Sequence, residues 1–145
     1  MIRVAVTAEP FDPVAAATAL EREGAGGIAT FTGLVRADDG VTTLELEHYP
    51  GMTERVLHEL AQEAQRRWAL SAVTVFHRVG TMAIGERIVF VGTAAAHRSP
   101  AIEAMTFLID RLKTDAPFWK REQREAGGRW VEARRTDDEA AKRWR

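Results

Sequence analysis

Two lysines, Lys113 and Lys120, stand on either side of a proline and are the side chains best suited to chemistry in this sequence. Helical periodicity places Lys113 in the last turn of a helix that Pro117 ends, and strand alternation then places Lys120 on the same side as Phe118. Both amines can therefore point into one cleft, where an amine can transfer a proton or stabilise an anion. The alternative, which spacing alone favours, is that Lys113 complements the helix C-terminus and Lys120 is an ordinary surface residue.

Two further cations, His97 and Arg98, lie at the opposite end of the same predicted helix. They follow the most apolar run of the chain, so a rigid strand would aim them at the strand-to-helix junction. Backbone N–H groups at a helix N-terminus favour anions. Ser99 is predicted to cap this helix, and Pro100 fits its first turn. The functional interpretation of these residues is a local cationic pocket for an anionic substrate; the other is a set of ordinary charges near the ends of elements.

Composition narrows the class of protein. The 145 residues are 46% hydrophobic, which suits one domain with a proper core, and the net charge of −1 gives no global attraction to nucleic acid or to anionic membranes. No cysteine is present, so disulfides, thiolate metal sites and cysteine nucleophiles are excluded, and any sulfur chemistry would need sulfur brought in from outside. The four histidines lack paired spacing, which argues against a metal site. Without a signal peptide or a membrane-spanning run, we expect a cytoplasmic protein.

The N-terminal half is predicted to contain three strands and one short helix, and the last two strands are predicted to form a hairpin. The predicted elements are a strand over 2–7, a helix over 13–22 and strands over 28–36 and 41–49. Asp12 is predicted to cap the helix, with Val14 on its apolar side, and Gly33 marks a bulge or a close backbone approach. Because Asp39-Gly40 is a strong turn signal, the last two strands are predicted to pair with each other.

The C-terminal half alternates helices with short strands. The predicted elements are a helix over 52–68, strands over 72–79 and 86–95, a helix between Ser99 and Pro117, strands over 118–123 and 129–134, and a terminal helix after Thr136. Residues 81–85 are predicted to form a connection, and the apolar run over 86–95 an interior strand. Hairpin connections mixed with helices favour an α+β fold over a doubly wound parallel sheet.

The helix that ends at Pro117 carries one predicted apolar face. Its members recur at helical spacing and are Ile102, Met105, Leu108, Ile109 and Leu112. We expect the whole face to be buried against the rest of the protein. At about 100° per residue, Lys113 falls beside Ile102 and Ile109, so we expect it at the rim of the buried face.

Seven segments of the chain occur in one order in a known protein family. The segments are FTGLVR (31–36), LEHYPGM (46–52), HRVG (77–80), IVFVG (88–92), AHRS (96–99), LKTDAPFWKRE (112–122) and RWVEAR (129–134). By these segments the chain resembles the catalytic, large subunit of molybdopterin synthase from Gly27 to the C-terminus. The resemblance implies a single domain over 1–145 with an α/β-hammerhead type fold, a mostly antiparallel mixed sheet flanked by helices, and no cofactor.

The resemblance also implies partners and a reaction. It implies a homodimer at the centre of a heterotetramer, each end of which binds a small ubiquitin-like sulfur-carrier subunit. The carrier's C-terminal Gly-Gly thiocarboxylate would enter the active site. Two sulfur atoms would pass to cyclic pyranopterin monophosphate, also called precursor Z, and form the dithiolene of molybdopterin. Sulfur delivered by a partner fits a chain that has no cysteine.

Residue roles follow from the same resemblance. Lys113 and Lys120 match catalytic positions; Lys113 is favoured for proton transfer or transient covalent contact with the carrier, and Lys120 for charge stabilisation. Phe31 and Met105 are expected to line the pocket, and Arg134 is expected to reach it from the neighbouring subunit. The implied substrate-binding residues are Leu34, Val35, Arg36, His97, Arg98, Arg121, Glu122 and Arg134.

Two other classes of function remain open at this point. One is a lysine-dependent enzyme that acts on a different anionic substrate, for example through a Schiff base. The other is a non-catalytic protein that uses the same fold as an anion-binding scaffold. An assay of dithiolene formation with a thiocarboxylated carrier separates both from the molybdopterin synthase interpretation.

Overall fold

The computed structural model describes residues 1–36, 41–124, 127–131 and 144, and for 41, 119–124 and 127–131 it describes the backbone alone. The elements confirm the expected α+β class. In chain order they are β1 (Ile2–Thr7), α1 (Pro13–Thr18), β2 (Gly27–Leu34), β3 (Val41–His48), α2 (Met52–Trp68), β4 (Ala72–Arg78), β5 (Gly80–Ala83), β6 (Arg87–Ala95), α3 (Arg98–Asp115), β7 (Phe118–Arg124) and β8 (Gly127–Val131).

The strands form two four-stranded sheets. The first has the order β1-β4-β6-β2, and the second has the order β5-β3-β7-β8. Only the β1–β4 pair is parallel among the described strands; the other pairs are antiparallel. The apolar run of β6 lies between β4 and β2, which confirms its prediction as an interior strand.

The predicted hairpin between β2 and β3 is wrong, because the two strands belong to different sheets. The chain passes from the first sheet to the second at Val35, whose N–H donates to the Glu86 carbonyl while its own carbonyl accepts from Gly85 N–H, both at 2.9 Å. The register shifts just before, between Gly33 and Leu34. A Cβ on Gly33 would lie 2.7 Å from Val89 Cγ1, so both predictions for this glycine are confirmed.

Two further boundaries differ from the prediction. The supposed connection over 81–85 contains most of β5, which pairs with β3 and buries Met82 completely. Helix α1 ends at Thr18 rather than at residue 22, although Asp12 Oδ1 caps it as predicted by accepting from Val14 N–H at 2.9 Å. Val14 itself is 73% exposed, because the core on this side is reached by Leu20 beyond the helix end.

The main core lies between the first sheet and the pair of helices α2 and α3. Helix α2 ends at Trp68, as predicted, and it buries Leu57, Leu60 and Ala64, also as predicted. A smaller core under α1 contains Leu20 and Phe90, on the opposite face of the sheet. The second sheet has its own core, formed by Val35, Leu44, Leu46 and Met82.

Helix α3 corrects two predictions. Its N-cap is His97 rather than Ser99, and no side chain makes a capping hydrogen bond there. Its predicted apolar face is divided in two: Leu108 and Leu112 are buried, whereas Ile102 is 51% exposed. Small residues replace it in the core, because Ala101 and Ala104 let the helix approach β6 and β2 closely. Met105 and Ile109 are only partly buried.

Strand β8 pairs antiparallel with β7, which confirms that the last predicted strand folds back on the one before it. Arg134 and the predicted helix after Thr136 lie outside the described residues. None of the described helices combines the length and the apolar composition that a membrane span requires.

Candidate active site

Helix α3 spans the first sheet from one end to the other and so decides where the candidate residues lie. A Cβ placed on Gly27 would come within 3.0 Å of the Arg98 Cα, so the helix begins against the first residue of β2. Just after the helix, Phe118 stacks on His77 with ring centroids 4.0 Å apart. His77 pairs with Val89, and Val89 pairs with Gly33. The helix therefore ends at the Gly33 end of β2.

Lys113 occupies the last turn of α3, as the periodicity predicts, and its side chain is exposed rather than at a buried rim. Leu34 and Arg36 leave β2 at this same end of the sheet, and both are exposed. Val35 between them is buried in the second core. This end of the sheet thus combines two cations on separate elements with an accessible apolar side chain.

Lys120 lies on β7, two positions after Phe118. Its backbone pairs with Leu46 of β3 on one side and with Val131 of β8 on the other. The side chains of Lys120, Arg121 and Glu122 are outside what the structure describes. The shared cleft for the two lysines therefore stays a prediction, supported by the short connection that joins α3 to β7.

The structure does not bring His97 and Arg98 to Lys113 within one chain. Both residues are exposed at the start of α3, whereas Lys113 is in its last turn. At about 1.5 Å of rise per residue, roughly 22 Å of helix separates Arg98 from Lys113. One small substrate cannot contact both ends of such a helix, so a site that uses all these cations needs a second chain.

The predicted pocket-lining residues lie along the middle of this arrangement. Phe31 is partly buried in β2, and the Cβ of a side chain at Gly33 would come within 3.3 Å of its ring. Met105 is partly buried on α3 and packs against the main core. Both positions also fit packing roles, which the sequence already allowed.

A cluster that sequence spacing does not reveal joins the two sheets next to β7. Phe118 stacks on His77 of β4, and the His48 ring lies 6.5 Å from the same phenyl ring. The pKa of His77 is lowered to about 4, chiefly by burial and also by the neighbouring charge of His48. The hydrogen bond between Nδ1 and the Arg78 carbonyl, at 2.9 Å, opposes this shift. His77 is therefore neutral at pH 7 and donates from Nδ1.

Among the described residues, no three histidine, aspartate or glutamate side chains are grouped as ligands for one ion. The cations at the Gly33 end of β2 instead favour an anionic ligand held by charge and hydrogen bonds.

Comparison with known proteins shows the family to which this chain belongs. A family model described as MoaE protein matches residues 6–115, from β1 to the end of α3. The chain belongs to the MoaE family. The matched range of this MoaE chain includes Lys113, Arg36, His97 and Arg98.

Two sequence relatives and one solved structure illustrate what this MoaE chain is similar to. The molybdopterin synthase catalytic subunit of Escherichia coli (strain K12) is 57% identical over 127 residues, which cover 86% of this chain and 85% of that protein. The subunit of the same name from Caulobacter vibrioides is 49% identical over 144 residues, covering 97% and 96%. The structure of molybdopterin cofactor biosynthesis protein E from Burkholderia multivorans ATCC 17616 has a TM-score of 0.85 and 47% identity, covering 99% of this chain and 97% of that one.

Proposed function

We propose that this chain is the catalytic subunit of a molybdopterin synthase and transfers sulfur to cyclic pyranopterin monophosphate. The observation that carries the proposal is the exposed Lys113 at the end of the first sheet where Arg36 leaves β2, in a chain of the MoaE family. Relatives named catalytic subunit support an enzyme that works together with another chain. The anionic phosphate of this substrate suits the cations at that end of the sheet.

The sulfur donor in this proposal is a small ubiquitin-like carrier subunit with a C-terminal Gly-Gly thiocarboxylate. The absence of cysteine means that the chain offers no thiol of its own. The thiocarboxylate sulfur attacks a substrate carbon and forms a C–S bond, while a C–O bond of that carbon breaks and its oxygen leaves as water or stays on the phosphate. One water then hydrolyses the resulting thioester, which leaves the sulfur on the substrate as a thiolate and a carboxylate on the carrier. Two carriers are consumed for one dithiolene.

The two lysines divide the chemistry of this step. Lys113 transfers a proton or makes transient covalent contact with the carrier's carboxyl terminus. Lys120 stabilises the negative charge that develops as the thioester is cleaved. Because only a proline-containing connection separates α3 from β7, the two residues approach the same end of the first sheet from adjacent elements.

The remaining cations bind the substrate across a homodimer. Arg36 lies at the Lys113 end of the same chain, whereas His97 and Arg98 lie at the other end of α3 and act on the site of the second copy. Arg134 reaches the site from that copy as well. The other proposed contacts come from the ends of β2 and from β7, with Phe31 and Met105 along the wall; they are Leu34, Val35, Arg121 and Glu122.

The test is dithiolene formation from cyclic pyranopterin monophosphate with purified chain and thiocarboxylated carrier. Lys113→Ala and Lys120→Ala are each expected to lower turnover by at least about 100-fold, the usual contribution of a positioned acid–base or charge-stabilising group. Lys142→Ala, at the third lysine of the chain, is the matched control and should keep wild-type turnover. Wild-type turnover in both site variants would refute the assignment of the lysines.

A parallel measurement distinguishes the lysine-dependent alternative. If the enzyme used a Schiff base on another substrate, borohydride would trap a carbonyl compound on Lys113 or Lys120. We expect no such adduct with the pterin substrate. An inactive wild-type chain in the dithiolene assay would contradict the proposed function itself.

A further inference from the structure

We propose that Arg78 and Glu86 are positioning residues for Arg36, the cation that follows β2. The two side chains pair with each other and fix the turn over 83–86, and this turn holds the backbone of Val35, directly before Arg36. We call the ion pair together with this turn the Arg78–Glu86 clamp. The inference rests on the proposed function, because it concerns the anionic substrate that Arg36 is proposed to bind.

The first observation is that Arg78 carries a nearly buried charge at the end of β4. Its side chain is 9% exposed, and the carboxylate oxygen Oε1 of Glu86 lies 3.5 Å from its Nη1. Nη2 donates to the Ala8 carbonyl at 3.1 Å, and Nη1 donates to the Arg87 carbonyl at 3.4 Å. Nε is buried and makes no hydrogen bond within the described residues. Because a buried charge is costly without a partner, the guanidinium depends on Glu86.

The second observation is that Glu86 joins this charge to a tight turn. Its second carboxylate oxygen, Oε2, accepts from the Ala83 N–H at 2.5 Å, and its own N–H donates to the Ala83 carbonyl at 3.1 Å. Gly85, inside the turn, has a φ of +88°, which residues with a side chain rarely adopt. One carboxylate therefore closes the turn and pairs with Arg78, so a shift of the turn would separate the ion pair.

The third observation is that the same turn holds the chain that leads to Arg36. Val35 N–H donates to the Glu86 carbonyl, and Gly85 N–H donates to the Val35 carbonyl, both at 2.9 Å. The Val35 side chain is 5% exposed and packs in the core of the second sheet. Arg36 is the next residue and is exposed, so its side chain begins one residue after a backbone that the clamp fixes.

The position of Arg36 matters because a guanidinium binds a phosphate through parallel N–H···O bonds of fixed geometry. A backbone that is already in place also lowers the loss of conformational freedom on binding. Arg78 and Glu86 act through Val35 and do not contact the substrate. Loosening the clamp should therefore weaken substrate binding, and it should leave the chemical step at saturating substrate within about 2-fold of the wild type.

Binding of cyclic pyranopterin monophosphate to the purified chain without the carrier, measured by titration calorimetry, tests this inference. Glu86→Gln keeps an acceptor for the turn but removes the charge that pairs with Arg78. It should weaken binding by about 10-fold, the size of one lost hydrogen bond to a charged group. In the Arg36→Ala background, Glu86→Gln should change the affinity by less than about 2-fold, because the residue that it positions is already absent.

The matched control is Glu63→Gln. The Glu63 side chain is 43% exposed, as is that of Glu86, and it pairs with Arg111 between α2 and α3. This variant should keep the wild-type affinity. Unchanged affinity in Glu86→Gln, or an equal loss in the wild-type and Arg36→Ala backgrounds, would overturn the inference. An equal loss in Glu63→Gln would overturn it too, since general destabilisation would then explain the result.

Amide hydrogen exchange, followed by NMR, examines the clamp without any substrate. Glu86→Gln should speed exchange at Val35 N–H and Gly85 N–H by at least about 10-fold, whereas the fully buried Val91 of β6 keeps its protection. Glu63→Gln should change none of these rates. Unchanged exchange at Val35 in Glu86→Gln would refute the clamp.

The two measurements together distinguish this inference from the proposed function. A wild-type chain that binds the pyranopterin while Glu86→Gln binds it equally well would contradict the positioning role alone. A wild-type chain that does not bind the pyranopterin would contradict the proposed function, and with it the substrate assigned to Arg36, whatever the exchange rates show.

Discussion

At the scale of single residues, His77 has the most unusual environment among the described titratable groups. Its ring lies between the two sheets against Phe118, and its Nδ1 donates to the Arg78 carbonyl. Because burial lowers its pKa to about 4, protonation is much less favourable in the folded protein than in the unfolded chain. Phe118, the first residue of β7 and two positions before Lys120, therefore packs against a neutral histidine.

Linkage gives this histidine a measurable effect on stability. Its stabilising contribution is complete above pH 6.5 and is lost as the pH falls towards 4, because the unfolded chain then binds the proton first. His77→Phe should remove about 2 kcal/mol of the decrease in unfolding free energy between pH 7 and pH 4.5. Urea denaturation at the two pH values measures this difference.

The control for this measurement is His58→Gln, on the exposed surface of α2. It should keep the wild-type dependence on pH. If His77→Phe and His58→Gln showed the same dependence, the buried neutral state of His77 would be contradicted.

At the scale of elements, α3 is the part that positions the site, and β6 holds its first turn. The hydroxyl of Thr93, fully buried on β6, donates to the Ala101 carbonyl at 2.6 Å. Ala101 and Ala104 allow this close approach because they have small side chains. The hydrogen bond therefore fixes the first turn of α3 on β6, and with it the position of His97 and Arg98.

Thr93→Val should lower the unfolding free energy by about 1 kcal/mol, since it removes a buried hydrogen bond at constant shape. Thr18→Val is the matched control, because the Thr18 hydroxyl also donates to a helix carbonyl, that of Val14, but at the exposed surface. Chemical denaturation at pH 7 compares the two variants. Equal losses of unfolding free energy in the two variants would show that the buried Thr93 hydrogen bond stabilises the protein no more than the exposed one.

At the scale of the whole molecule, the proposed homodimer assigns the two ends of α3 to different pockets. Roughly 22 Å of helix separates Arg98 from Lys113 within one chain, so each proposed pocket takes one end from each copy. A symmetric dimer then contains two equivalent pockets, each of which depends on both chains.

Mixed dimers test this division. Lys113→Ala and Arg98→Ala should each be nearly inactive as homodimers, whereas a heterodimer of the two has one intact pocket and one doubly altered pocket. Its dithiolene formation should therefore be about half that of the wild type. Differently tagged chains, expressed together and purified through both tags, provide the sample. Inactivity of the heterodimer beside an active wild type would place both residues in a pocket of one chain.

Local pattern by itself determined much of this protein. Hydrophobic period and cap chemistry were sufficient for β1, for α2, for the interior strand β6 and for the Asp12 cap, because each depends on neighbouring residues only. The position of Lys113 in the last helical turn follows from Pro117 in the same way. The family resemblance rested on short segments of this kind.

Only the tertiary structure decided which faces meet. The turn signal at 39–40 could not show that β3 pairs with β5 and β7 instead of β2, and helical period could not show that Ile102 faces outward. Both depend on long-range packing, in which small residues such as Ala101 took the buried positions. The same packing separates Arg98 from Lys113, because a helix that crosses a sheet puts its two ends at opposite sides of that sheet. Only the strand order shows that β2 lies at an edge.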